Sequence, residues 1–246
     1  MKFYLIIILS IIVNFPFESE GKNIKNFNSG EKKVHILELY TSQSCSSCPP
    51  ADKWLNQLQH SNLLWNKVIP LEFHVSYWNH LNWKDIHSKD EFNDRQRHYD
   101  RLNKTGVYTP QVLLNGVDYR KWRWMGHTYL NKESSPGNLS VKYNKELGKA
   151  YVEFKPNSDN KNLICFGAEI KGGLVKDITS GENSGKTLKH EFVVKNLMSN
   201  KMITKDNRYV CEINIYDVGA NKKRAVAFWV ADKSNLKIIQ ATGGRL

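Results

Sequence analysis

The chain has 246 residues, 40% hydrophobic and 24% charged, with a formal net charge of +12. That length allows one or two domains with ample core, and the composition excludes a disordered chain. The lysines are scattered, tight basic clusters occur only at Arg120 to Arg123 and Lys222 to Arg224, and no nucleic-acid-binding motif is present, so the positive charge does not point to a nucleic-acid partner.

The first residues read as a targeting segment. Lys2 precedes an apolar run from Phe3 to Val13, and Ser19-Glu20-Gly21 offers a small-x-small cleavage site. We therefore expect a signal peptide over 1–21, a mature start near Lys22 and export to a periplasmic or extracellular setting. A retained anchor is the alternative, but the run is too short to span a bilayer stably. In an oxidising compartment four cysteines, an even number, serve as structural bridges, as redox groups or as both. Residues 22–33, rich in Lys, Asn, Ser and Gly, read as a flexible lead-in.

Val34 to Tyr40 is short, apolar and β-prone, as a buried strand should be. It runs into Thr41-Ser42-Gln43-Ser44-Cys45-Ser46-Ser47-Cys48-Pro49-Pro50-Ala51-Asp52. After it, Ala51, Trp54, Leu55 and Leu58 recur at helical spacing and predict a helix ending near His60. A thiol in the first turn of a helix lies near unsatisfied N–H groups and the positive dipole end, which favour its thiolate. Pro49 and Pro50 suit that turn because it has no use for their missing N–H. A strand, a C-x-x-C and a helix in that order read as a thiol-disulfide pair, with Cys45 the exposed, attacking member and Cys48 the resolving one.

Val68 to Tyr77 reads as the next strand, followed by an aromatic loop from Tyr77 to Asp85. Ser88 and Glu91 have the spacing of a capping box for a helix that Phe92, Tyr99 and Leu102 make amphipathic and that stops around Lys104-Thr105-Gly106. Pro110 opens an apolar strand closed by the turn pair Asn115-Gly116. Ser134 to Asn138 is turn-rich and marks a boundary. Beyond it the period becomes two, with strand-like runs at Leu139 to Tyr143, Ala150 to Phe154, Leu163 to Ile170, Leu188 to Val194, Tyr209 to Tyr216, Ala225 to Ala231 and Leu236 to Ile239. Such runs predict a β-sandwich or related barrel. Gly181-Glu182-Asn183-Ser184-Gly185-Lys186-Thr187 only imitates a phosphate loop, since Ser180 stands where glycine is required and a strand-like run follows.

The order strand, C-x-x-C, helix, Thr109-Pro110, strand resembles the thioredoxin fold. More specifically, ELYTSQSCSSCPPAD, FHVSYWNHLNWKD, RQRHYDRLNKTGVYTPQ and GENSGKTLKH resemble a bacterial secreted family, domain of unknown function 1223, from about Val34 to the C-terminus. The resemblance implies an α/β thioredoxin-like domain over 34–133 followed by an all-β, sandwich-like domain over 138–246. It also implies a cis Thr109-Pro110 bond facing the cysteines, where Thr109 and Pro110 shape a substrate groove. The family supplies no activity.

Several residues carry two readings. Trp78 is expected to line the groove or to pack in the core. Glu38, a carboxylate inside an apolar strand, is a candidate for proton transfer behind the disulfide, as is His74. His74 is equally suited to a hydrogen-bonded core position, or to completing a copper or zinc site with Cys45 and Cys48. Cys165 and Cys211 form a structural disulfide or remain two buried thiols. The function expected is thiol-disulfide exchange with protein or small-molecule thiols and disulfides, with no cofactor. The alternative is a non-catalytic binding module whose C-x-x-C is structural or binds metal.

Overall fold

The computed structural model describes residues 23–125, 134–158, 162–215 and 223–246, so the expected signal segment lies outside the described residues. In chain order come β1 Ile24–Asn28, β2 His35–Thr41, α1 Pro49–Asn56 with a 3-10 turn Gln57–His60, β3 Val68–His74, α2 Asp90–Asn103, β4 Gln111–Leu114, β5 Val117–Asp118 and the one-turn α3 Trp122–Met125. The second half supplies β6 Gly137–Asn144, β7 Lys149–Pro156, β8 Leu163–Lys171, β9 Leu174–Asp177, β10 Thr187–His190, β11 Val193–Lys201, β12 Ile203–Lys205, β13 Arg208–Asn214, β14 Arg224–Asp232 and β15 Ile238–Arg245.

Local chemistry explains most boundaries. α1 starts on two prolines behind the N-cap Cys48 and buries Ala51 and Leu55. α2 is capped at its end by Lys104 in the left-handed conformation. The expected capping box does not form, because the Ser88 hydroxyl donates to the carbonyl of Asp85 instead. Asn115 and Gly116 both have positive φ and turn β4 into β5, the geometry that favours Asn-Gly in a two-residue hairpin. The expected strand at Leu188 to Val194 is broken at Glu191 and Phe192, where the chain leaves β10 and enters β11.

An eight-stranded sheet runs in the order β15-β14-β8-β11-β3-β2-β4-β5, beside a five-stranded sheet β1-β6-β7-β13-β12 and the hairpin β9-β10. β3 is parallel to both β2 and β11. This corrects the expected fold class. Strands predominate over helices, of which only three are present among the described residues. Four strands from the second half continue the same sheet as β2 to β5, so the chain is not an α/β thioredoxin-like domain followed by a separate β domain. The alternation of side chains concealed this. β8 and β14 are apolar on both faces, as strands buried on both sides must be.

One core lies between the two sheets, built from Leu139, Val141, Phe154, Ile213 and Phe228 among others. The other lies on the opposite face and joins Trp229, Phe166 and Ala168 to Tyr40, Phe73 and α2. Cys165 of β8 and Cys211 of β13 form a disulfide between the sheets, with Cα atoms 6.7 Å apart. The lead-in is also corrected. β1 pairs antiparallel with β6 from Ile24↔Asn144 to Asn28↔Ser140. Buried Gln240 ties the next residues down, accepting from the Val34 N–H at 2.8 Å and donating to the Lys32 carbonyl at 3.1 Å.

Glu38 turns out to be a fold residue. It shares a sheet face with Tyr40, toward α2, where Arg95 donates from Nε and Nη2 to its two oxygens at 2.9 Å each. The hydroxyls of Tyr40 and Tyr99 donate to the same carboxylate at 2.8 and 2.9 Å. The guanidinium also lies over the rings of Phe166 and Trp229, 5.0 and 5.6 Å from their centroids. Arg95 thus joins α2, β2 and two strands of the second half. Removing one partner of such a pair strands a buried charge. Arg95→Ala should cost ~3–5 kcal/mol in denaturant unfolding, and a loss below ~1 kcal/mol would mean that the cluster is not a fold determinant. The Cys165–Cys211 bridge closes a sequence separation of 46. Replacing both by alanine should lower stability by up to about 4 kcal/mol, read as a lower unfolding midpoint under non-reducing conditions.

Candidate functional site: a covered disulfide with a buried histidine-carboxylate cage behind it

Cys45 and Cys48 form a disulfide at the N-terminal end of α1, with Cα atoms 5.5 Å apart. Cys45, expected to be the exposed member, is only 5% accessible, and Cys48 is 0% accessible. The Thr109–Pro110 bond is cis. The Thr109 hydroxyl donates to Cys45 Sγ at 3.2 Å, and the indole N–H of Trp78 donates to that hydroxyl at 2.7 Å. Cys45, Cys48, Thr109, Pro110 and Trp78 are therefore brought to one place.

What covers the cysteine loop comes from the second half of the chain. The turn between β9 and β10 carries the residues that imitate a phosphate loop, and it lies against the C-x-x-C. Asn183, fully buried, donates from Nδ2 to the carbonyls of Gln43 and Cys45 at 2.9 Å each. Glu182 Oε2 accepts from the Ser46 N–H at 3.0 Å, and Ser180 donates to the carbonyl of Asn82. A Cβ at Gly181 would meet the Leu81 carbonyl oxygen at 2.6 Å, so the close approach of these two loops requires glycine there.

Behind the disulfide, alternation along the strands sorts the acids. Thr41 pairs with His74 and Leu39 with Glu72 across β2 and β3, which puts Thr41, Glu72 and His74 on the α1 face, opposite Glu38. Asp52 enters that face from α1, one turn past Cys48, and accepts from the Thr41 hydroxyl at 2.7 Å. Burial, then the charge of Glu72, raises the Asp52 carboxyl to about 7 against the pull of His190, Thr41 and His74. Glu38 therefore lies on the face away from α1, and Asp52 on the face toward it.

His74 lies in a buried cage. Its Nδ1 donates to Asp85 Oδ2 at 2.6 Å and its Nε2 to Glu72 Oε1 at 3.1 Å. His190, from β10, sets Nδ1 2.5 Å from the same Glu72 oxygen. Burial opposes the His74 cation, yet Asp85 and then Glu72 outweigh it and lift its pKa to about 10. Burial also opposes the Glu72 carboxylate, but the charge and hydrogen bonds of His190 and His74 hold it down to about 2. His87 sits edge-on to His74 and is kept neutral by burial and by the charges of His74 and Lys195, its pKa lowered to about 3. The expected ligand set of Cys45, Cys48 and His74 does not assemble. Among the described residues, the donors that gather around His74 are Glu72 and His190, while both cysteines are bound to each other.

Sequence reasoning missed Asp52, Glu72, Asp85, Asn183 and His190. Asp52 was within reach, since it falls between Ala51 and Leu55 on the stripe that α1 buries. Glu72 and His74 share a parity that alternation makes visible. His190 and Asn183 gave no local signal, because their partners lie more than a hundred residues away.

Fold and site together define a β-rich protein with a helix-capping disulfide covered by a hairpin from its second half. Residues 36–231 match the family described as protein of unknown function (DUF1223), and the chain belongs to it. No curated protein matches. Among solved structures the chain is similar to protein AGR_C_4864 from Agrobacterium tumefaciens, at 25% identity and a TM-score of 0.59, covering 86% of this chain and 94% of that one. It is also similar to HBP35 of Porphyromonas gingivalis, at 17% identity and a TM-score of 0.64, covering 89% of this chain and 76% of that one, a likeness of fold alone.

The two Asn183 bonds are buried and hold the cysteine loop from outside. Asn183→Ala removes the side-chain donor from both carbonyls, of which that of Cys45 keeps the Cys48 N–H at 3.2 Å, and should cost about 1–3 kcal/mol. Hydrogen exchange should quicken first at residues 43–46, and unchanged protection there would show that the hairpin does not secure the loop.

Proposed function

We propose that the chain is a thiol-disulfide exchange protein acting through Cys45 and Cys48. The observation that carries this reading is the placement of the pair at the N-terminus of α1, with the Thr109 hydroxyl on Cys45 Sγ. Both the positive dipole end of a helix and a hydroxyl donor favour negative charge on that sulfur. In the oxidising direction, a partner thiolate attacks Cys45 Sγ. The Cys45–Cys48 bond breaks, its electron pair leaves on Cys48, and a mixed disulfide forms between the partner and Cys45. A second partner thiolate then attacks the partner sulfur and releases Cys45 as thiolate. The partner loses two electrons, which reside on the two reduced cysteines. In the reverse direction Cys45 attacks and Cys48 resolves.

Asp52 is the positioning acid for the buried sulfur. It lies one helical turn from Cys48, held by Thr41, and it lines the cleft between α1 and β10, through which protons reach water. A groove of about 330 Å³ lined by Tyr108, Pro110, Arg120, Trp122, Arg123 and Trp124 adjoins the cis proline and offers a bed for an extended partner segment. The partners are protein or small-molecule thiols and disulfides, and the setting is the oxidising compartment that the segment 1–21 suggests.

The near-complete burial of Cys45 favours a second reading, in which the bridge is structural. Titration in glutathione buffers with alkylation and mass analysis decides between them. A potential between about −120 and −270 mV fits exchange, and one below about −300 mV marks a bridge that does not turn over. Under the exchange reading, Cys45→Ser abolishes turnover of a protein disulfide while the fold persists. Asp52→Asn slows it ~10²-fold or more with the bridge still able to form. Retained turnover in Cys45→Ser would overturn the proposal.

A further inference from the structure

The geometry points to a second, independent site: we propose that Glu72, His74 and His190 bind a divalent first-row metal ion of the zinc type. Their donor atoms all lie within 4.8 Å of one another, and the residues are 0%, 0% and 1% exposed. Two imidazoles and one carboxylate are a donor set that zinc accepts, with a fourth position open. Tetrahedral ligation at ~2.0–2.1 Å sets donors roughly 3.4 Å apart. That spacing falls between the 2.5 Å and 3.1 Å contacts that His190 and His74 make with Glu72 Oε1 and the widest separation in the group. Small side-chain adjustments therefore suffice.

Three observations separate this cage from an ordinary buried ion cluster. Glu72 Oε2 is buried with no hydrogen-bond partner among the described residues, a costly position for a carboxylate oxygen unless something binds it. The far nitrogen of the His74 ring is already held. His74 Nδ1 is fixed by Asp85, whose carboxylate is itself oriented by the Gln43 and His87 backbone N–H groups at 2.8 and 2.9 Å. Anchoring of this kind is what metal-binding histidines need. Finally, two neutral rings, the carboxylates of Glu72 and Asp85 and one divalent cation sum to zero charge, so an ion can replace ring protons without leaving net charge in the core. A cleft of about 450 Å³ between α1 and β10, lined by Asp52, Thr187, Leu188 and Lys189, opens next to His190 in the chain.

The site does not depend on exchange chemistry at the cysteines. The test uses the full chain, stripped with chelator and titrated with Zn²⁺ by competition calorimetry and with Co²⁺ by visible absorption. The expected result is one ion per chain, a raised thermal midpoint and a four-coordinate cobalt spectrum lacking a thiolate charge-transfer band. His190→Gln, on the outer hairpin, should weaken binding beyond the ~10–100-fold that losing a supporting partner costs, and Asp85→Asn by about that range. Cys45→Ser with Cys48→Ser should bind as the wild type does. If Glu72→Gln fails to fold, the His190 and Asp85 variants decide. Absence of stoichiometric binding by the wild type, binding that survives His190→Gln, or binding lost with the two cysteines would each overturn the proposal.

Discussion

A carboxylate wholly removed from water is tolerable only where donors and opposite charge surround it, and Glu72 meets that demand at Oε1 by drawing on both halves of the chain. Its backbone N–H donates to the carbonyl of Phe192 at 2.8 Å, the point where β11 joins β3. Its side chain takes hydrogen bonds from His74 on its own strand and from His190 on the hairpin. One residue therefore sets the seam between the two halves by backbone and by charge together. Were β11 displaced, the sheet would lose its middle joint and Glu72 would lose the imidazole that compensates it.

The seam explains why the cysteines sit as they do. With β11 on β3, the preceding β10 lies beside α1, where Asn56 donates to the Lys189 carbonyl at 2.7 Å and accepts from the Glu191 N–H at 3.0 Å. The hairpin then has one place to go, over the cysteine loop. Its tip supplies Glu182 and Asn183 to backbone groups of Ser46, Gln43 and Cys45. The opposite side of Cys45 is taken by Thr109 and Trp78. The disulfide is held between a loop of the first half and a hairpin of the second.

What could be read from the sequence was local. The strand before the C-x-x-C, the helix opened by Pro49 and Pro50, the Lys104 stop and the Asn115-Gly116 turn each depend on a few neighbours, and each is where propensity places it. Glu38 misled because a strand alternates its faces. One residue's difference in register sends a carboxylate to Arg95 rather than toward Asp52 and the disulfide. The fold class misled for a longer-range reason. Nothing in β8 or β14 says that their second apolar face will meet β2, β3 and α2, and a turn-rich boundary at Ser134 to Asn138 suggested two bodies where one sheet continues. Apolarity on both faces of those strands was the available clue.

The order of the cysteines along the chain has a consequence for biosynthesis. Each bridge joins cysteines that are consecutive in sequence, Cys45 with Cys48 and Cys165 with Cys211. A chain emerging from its N-terminus therefore offers every second cysteine only one unpaired predecessor, and that predecessor is its native mate. Correct pairing can proceed as the polypeptide appears, with no reshuffling of bonds, whereas oxidation of the finished but unfolded chain must choose among three pairings.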